Sequence, residues 1–204
     1  MPLLATLAVL VAAVVPPFGA VAALLWARWS HTPLTQLGFG RPASWLWTVL
    51  GGLALGVALK LLLKAIVLPL LGASASNLAY APLIGNTPLL IQIAVTSVVV
   101  GGIGEEIFWR GFLFERLGSL LGAGVATESA IVVGTSVLFA LAHYPDQGVA
   151  GVEQAMVTGL AFGALFARTG VLWPSMVAHA AYDLTAVAII DANLEPAVAQ
   201  FLFR

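Results

Sequence analysis

Long apolar runs, separated by short polar segments, make up nearly the whole chain. A helix needs about 20 apolar residues to cross the hydrocarbon of a bilayer, and inside lipid the backbone must satisfy its own hydrogen bonds. We therefore interpret each run as a helix. The runs cover residues 3–27, 44–70, 89–118, 123–144, 150–168 and 171–190. This pattern predicts an all-α fold, a polytopic bundle of about six transmembrane helices.

Prolines and polar residues mark where these helices bend and end. Pro16-Pro17 removes helix hydrogen bonds and predicts a kink in the first run. Tyr144-Pro145-Asp146 is expected to stop the fourth helix, because the residue before a proline is pushed out of the helical region. The segment 72–88, with its Ser, Asn, Gly and Pro residues, is typical of a loop.

Small and cationic side chains inside the runs predict how the helices meet their neighbours. Glycines four apart share one helix face and let another backbone approach closely. Two such pairs occur, Gly52 with Gly56 and Gly159 with Gly163. Lys60 and Lys64 also share a face, and their long stems either reach the membrane interface or line an internal site.

Composition places the chain among membrane proteins. Hydrophobic residues make up 61% and charged residues 8%, whereas soluble domains average about 45–50% and about 25%. The net charge of -1 includes no basic block, so we expect no nucleic-acid partner. Cysteine is absent, which excludes disulfides, thiolate metal sites and a cysteine nucleophile. We expect a multi-pass integral protein of a bacterial-type cell membrane.

The chain is predicted to form a single integral membrane domain over residues 1–204. Within it, residues 1–88 would form an N-terminal region of two spans and residues 89–204 a catalytic helical core. The uncharged first run lacks the positive region of a cleaved signal peptide, so we interpret it as a retained span.

Two adjacent carboxylates and an arginine interrupt the third apolar run. An ionised side chain at bilayer depth costs at least about 2.5–3.5 kcal/mol, so such a cluster is expected to be an internal, functional site. Glu106 and Arg110 are four residues apart and share a helix face, which predicts an ion pair. Glu105 is turned about 100° away from Glu106 and is left as the free carboxylate.

Two histidines extend this polar site to other predicted helices. His143 lies at the last turn of the fourth helix, and His179 lies within the sixth. Asp183 is one turn after His179 and on the same face. We predict that three separate helices bring the acid and both imidazoles to a common polar pocket inside the lipid.

Such a set of groups suits the hydrolysis of an amide bond. That reaction needs a base to activate water and donors to hold the developing oxyanion, or a metal that does both. A carboxylate and histidines can supply either scheme. Neither Gly-x-Ser-x-Gly nor His-Glu-x-x-His occurs in the sequence, so the site is predicted to be assembled from separate helices.

The polar residues resemble the signatures of the CPBP family of CAAX proteases and bacteriocin-processing enzymes, also called the Abi family. Those signatures are Glu-Glu-x-x-x-Arg, Phe-x-x-x-His and His-x-x-x-Asn/Asp. The counterparts here, in the same order, are Glu105-Glu106 with Arg110, Phe139 with His143, and His179 with Asp183. The resemblance covers about residues 100–190. The family includes the Ras-converting CAAX endopeptidase.

The resemblance implies an intramembrane endopeptidase that acts on a membrane-anchored protein or peptide, of which a prenylated CAAX protein is one type. Glu105 and His143 would activate the attacking water, while His179 and Asp183 would bind or polarise the scissile carbonyl. Structural support would come from Glu106, Arg110 and Phe139. Zinc is left open as a cofactor, because Glu105, His143 and His179 could supply three ligands with water as the fourth.

Two other functions and both orientations in the membrane stay open at this point. Intramembrane Glu, His and Asp chains also occur in transporters and proton relays, and a non-catalytic scaffold or immunity protein could retain the same residues. The positive-inside rule places the arginine-bearing loops in the cytoplasm and the site toward the outer side. The CAAX enzymes that the chain resembles open instead to the cytosol.

Overall fold

The computed structural model describes residues 16–203, and helices account for nearly all of its regular structure. The principal helices are α1 (Pro16–Trp29), α2 (Trp45–Leu70), α3 (Thr87–Leu121), α4 (Val125–Ala142), α5 (Tyr144–Thr169), α6 (Trp173–Asp191) and the short α7 (Glu195–Ala199). Short 3-10 turns lie at Leu34–Leu37 and Leu78–Leu83. No strand occurs in the described chain. The predicted all-α class is therefore confirmed.

Four helices, α2 to α5, are long and apolar enough to cross a membrane. The predicted number of about six is not confirmed. Helix α1 contributes only a shorter apolar segment, Phe18–Trp29. Residues 3–15 of the first predicted span lie outside the described chain, so the kink expected at Pro16-Pro17 stays a prediction.

The outer faces of these helices are apolar and unburied, as expected for surfaces that contact lipid. Only 11% of the apolar window of α3 is buried inside the protein, and 22% of that of α2. Trp47 on α2 is 72% exposed. Contiguous apolar surface of this kind would be unstable in water. The fold and composition together indicate an integral multi-pass membrane protein.

Helix α3 departs from a regular α-helix where it carries the polar residues. It is π-helical over Ser97–Glu105 and again over Ile107–Phe112. The wider π-helical turn is rare and often occurs at functional sites. The range predicted for this helix, 89–118, was nearly right. Apolar periodicity alone does not distinguish α-helical from π-helical turns.

The junction between α4 and α5 is tighter than predicted. His143 caps α4, and α5 begins at the next residue, because a proline in the first helical turn lacks only an N–H that would be unpaired there. The helix is interrupted later, at Gly148, whose φ of 62° and ψ of -156° are non-helical. The regular part of α5 therefore begins close to the predicted residue 150.

Both glycine pairs lie at close helix contacts, as predicted. A Cβ added to Gly56 would lie 2.2 Å from the carbonyl oxygen of Ala178, so α2 and α6 approach almost backbone to backbone. A Cβ on Gly159 would lie 3.0 Å from Cβ of Ser136, which brings α5 against α4. The first of these contacts holds α6, the helix of the second histidine, against α2.

Candidate active site

A buried ion pair on α3 lies beneath the site. Nη1 of Arg110 donates to Oε1 of Glu106 at 2.8 Å, and both side chains are almost completely buried. The guanidinium also lies 4.7 Å from the centre of the Phe139 ring, and its Nη2 donates to the carbonyl of Gly159 at 3.4 Å. The pairing predicted from the spacing of the two residues is confirmed.

The same carboxylate contacts the second histidine. Nδ1 of His179 lies 2.8 Å from Oε1 of Glu106 and donates to it, because an ionised carboxylate can only accept. Glu106 therefore joins α3 to α6 and fixes the orientation of the ring. The sequence predicted only the pairing of Glu106 with Arg110, because a contact between residues 73 positions apart leaves no local pattern in the chain.

The other nitrogen of His179 faces two carboxylates. Its Nε2 lies 3.9 Å from Oε2 of Glu105 and 3.8 Å from Oδ2 of Asp183. The ring is packed against Phe162, with centroids 5.2 Å apart, and is nearly inaccessible to solvent. Oε2 of Glu105 is buried and accepts no hydrogen bond from the described residues. This oxygen is free to interact with a molecule in the site.

His143 is held by the phenylalanine of its own motif. Its Nδ1 lies 2.8 Å from the carbonyl oxygen of Phe139, and that contact requires Nδ1 to be the donor. The backbone N–H of His143 bonds instead to Ala140, which leaves the Phe139 carbonyl available. In the neutral ring the remaining nitrogen, Nε2, therefore carries a lone pair. The Phe-x-x-x-His spacing thus sets the tautomer of this histidine.

All four predicted site residues line one cavity of about 590 Å³, namely Glu105, His143, His179 and Asp183. They come from α3, α4 and α6, so the predicted assembly from three helices is observed. Glu105 and His143, together with Gln147, also line a smaller cavity of about 120 Å³.

The large cavity is also lined by polar residues that the sequence motifs did not indicate. Nζ of Lys60 donates to Oε1 of Gln154 at 2.9 Å, and the hydroxyl of Tyr182 donates to the same oxygen at 3.1 Å. Nζ of Lys64 lies 2.7 Å from Oε1 of Glu195. Of the two interpretations of these lysines, the structure supports an internal location. The sequence feature that could have indicated this location is the placement of the two lysines four residues apart within an apolar span.

The zinc site that the sequence leaves open is not preformed in the described chain. Within residues 16–203 no group of three or more His, Asp or Glu side chains is arranged to hold a metal ion. Nδ1 of each ring donates to an acceptor, so Nε2 is the nitrogen available to a ligand, and Nε2 of His179 lies 3.9 Å from Oε2 of Glu105 and 3.8 Å from Oδ2 of Asp183. A zinc ion on Glu105, His143 and His179 would require these side chains to rearrange.

The helices and their shared cavity define a polytopic membrane protein with a buried site of acids and imidazoles. Residues 87–185 match the family model described as "Type II CAAX prenyl endopeptidase Rce1-like", so this part of the chain is similar to that family. The match confirms the resemblance drawn from the three motifs and points to a CAAX-type intramembrane protease. None of the curated proteins and none of the solved structures matches the chain.

Proposed function

We propose that this protein is an intramembrane endopeptidase that hydrolyses a peptide bond of a membrane-associated protein. The observation that carries the proposal is the convergence of Glu105, His143, His179 and Asp183 on one cavity of about 590 Å³. A cavity of this size accommodates a short extended peptide, since pockets for small ligands run from about 300 to 1,000 Å³. Prenylated CAAX proteins are one class of substrate that the family match suggests.

Glu105 is the proposed general base. Its unbonded Oε2 takes a proton from water, whose oxygen attacks the carbonyl carbon of the scissile bond. Nε2 of His143 accepts a hydrogen bond from the other O–H of that water and orients it, because Nδ1 is committed to Phe139. The two residues share a cavity wall, which supports their action on one water molecule.

His179 is the proposed stabiliser of the oxyanion. With Nδ1 donating to Glu106, a protonated ring presents Nε2–H to the cavity, where the negative oxygen of the tetrahedral intermediate would accept it. Asp183, 3.8 Å away, orients the ring and balances its charge. The proton held by Glu105 then passes to the leaving nitrogen as the C–N bond breaks. No step of this scheme requires a metal ion.

The test is cleavage of a lipid-anchored peptide by purified protein in liposomes. Farnesylated and unprenylated forms of the same peptide separate the substrate classes. We expect the Glu105→Gln protein to lose on the order of 10²–10⁴-fold in kcat, the range for a lost general base, while keeping its fold. Glu128→Gln, an exposed change on α4, is the control. Retained cleavage by Glu105→Gln would overturn the mechanism.

A chelator arm tests the metal-free chemistry in the same preparation. Activity that survives prolonged treatment with a strong chelator agrees with the scheme above. Activity that is lost on chelation and restored by zinc would replace it with a metal-dependent mechanism. Proton or solute flux that depends on Glu105, without any hydrolysis, would instead favour a transporter.

A further inference from the structure

Lys60 is a cation that lines the large cavity. Its ammonium group forms no ion pair with any carboxylate of residues 16–203, whereas Lys64, one turn away, is paired with Glu195 at 2.7 Å. Lys60 lies before the matched region 87–185 and belongs to α2. It therefore lies outside both the three motifs and the matched region.

The position of Lys60 is fixed by the tight crossing of α2 and α6. Gly56 meets the backbone of Ala178 and Tyr182, and one helical turn later the ammonium of Lys60 lies 4.8 Å from the centre of the Tyr182 ring. On its other side it donates to Oε1 of Gln154 at 2.9 Å. The amide of Gln154 is held in turn by its donation to the carbonyl of Ala150 at 3.2 Å.

These contacts leave the ammonium group incompletely satisfied. A lysine has three N–H donors, of which one is used by Gln154. A neutral amide and an aromatic face compensate a cation away from bulk water less well than a carboxylate does. An anionic group entering the cavity would supply the missing partner.

We propose that Lys60, positioned by Gln154 and Tyr182, binds a carboxylate of the substrate. This inference rests on the proposed function. Lys60 and Tyr182 line the same cavity as Asp183, so the subsite opens into the space where the scissile carbonyl would bind. The carboxylate is either the free C-terminus of the bound peptide or an Asp or Glu side chain within it.

Binding to the Glu105→Gln protein tests the subsite without requiring turnover. Three fluorescent, acyl-anchored peptides of otherwise neutral residues are compared by anisotropy in liposomes: one with a free C-terminus, one with a C-terminal amide, and the amide form with one internal Asp. We expect at least one carboxylate peptide to bind about tenfold more tightly than the neutral amide, as a charge-assisted hydrogen bond allows. The two carboxylate peptides identify which source is recognised.

Substitutions at Lys60 assign the preference to this side chain. In the same background Lys60→Met should abolish the preference while leaving the amide peptide bound as before, and Lys60→Arg should retain most of it. Lys60→Gln serves if the methionine variant does not fold. Equal affinity of all three peptides, or an equal loss for all three in Lys60→Met, would overturn the proposal. Carboxylate preference without cleavage by wild-type protein would overturn only the proposed function.

Discussion

Oε1 of Glu106 receives hydrogen bonds from two helices at once, from Nη1 of Arg110 and from Nδ1 of His179, both at 2.8 Å. The first contact lies within α3, and the second crosses to α6. A single buried oxygen therefore links the Glu106–Arg110 ion pair to the His179 ring, which faces the cavity. The fold and the orientation of His179 depend on the same carboxylate.

Replacing Glu106 by Gln should reduce both stability and activity. The change leaves Arg110 as a buried cation without a counter-ion, a loss that typically costs about 3–5 kcal/mol. Thermal unfolding in detergent and peptide cleavage measure the two effects. Glu128→Gln, on an exposed position, should alter neither. An unfolding temperature equal to that of wild type would show that the buried pair is not required.

The role of His143 can be tested by comparing its replacement with that of a histidine outside the site. His143→Asn should lower kcat by on the order of 10²–10⁴, because an amide cannot act as a base toward water. His31→Asn is the matched control, since His31 is exposed and its φ of 56° lies in a region that Asn tolerates. Equal activities of the two variants would remove His143 from the mechanism.

Adjacent glycines on α3 allow packing and chemistry to be tested separately. A Cβ on Gly101 would lie 2.6 Å from Oδ2 of Asp183, the mobile end of a side chain that can shift. A Cβ on Gly102 would lie 3.1 Å from the backbone of Ala180, which cannot move without separating the helices. We expect Gly101→Ala to reduce kcat with little change in unfolding temperature. Gly102→Ala should instead destabilise by about 1–3 kcal/mol, the cost of overpacking.

The comparison of the two glycine variants has a clear contrary outcome. If Gly101→Ala keeps full activity, the position of the Asp183 carboxylate does not matter for catalysis. If both variants unfold at the same lowered temperature, the two contacts are equally structural.

Glu195 joins the tail of the protein to the edge of the cavity. Its Oε1 pairs with Lys64 at 2.7 Å, and its Oε2 accepts from the backbone N–H of Asn77 at 3.1 Å. Glu195→Gln leaves one acceptor oxygen for two donors, the Lys64 ammonium and the N–H of Asn77, so it should loosen the segment 72–77. The chain has no cysteine, so a single Ser76→Cys provides a clean label, and maleimide should react with it several-fold faster in the Glu195→Gln background. Unchanged labelling would show that other contacts hold this segment.

The sequence predicted those parts of the site that depend on local spacing. Residues four apart on one helix share a face, so the pairs Glu106 with Arg110 and His179 with Asp183 followed from the chain itself. The helical class followed from apolar length, because a backbone in lipid must bond internally. The boundary at Tyr144 was less accurate, since a proline can begin a helix as well as end one.

The sequence by itself thus determined the membrane setting, the approximate helices and the candidate residues on each of them. Only the tertiary structure decided that Glu106 binds His179, 73 positions away, and that Lys60 reaches Gln154, 94 positions away. Contacts of this kind depend on how closely helices cross and how they are rotated, which glycine contacts and π-helical turns set together. Neither quantity can be obtained from the periodicity of a single segment, because each is a property of two packed helices.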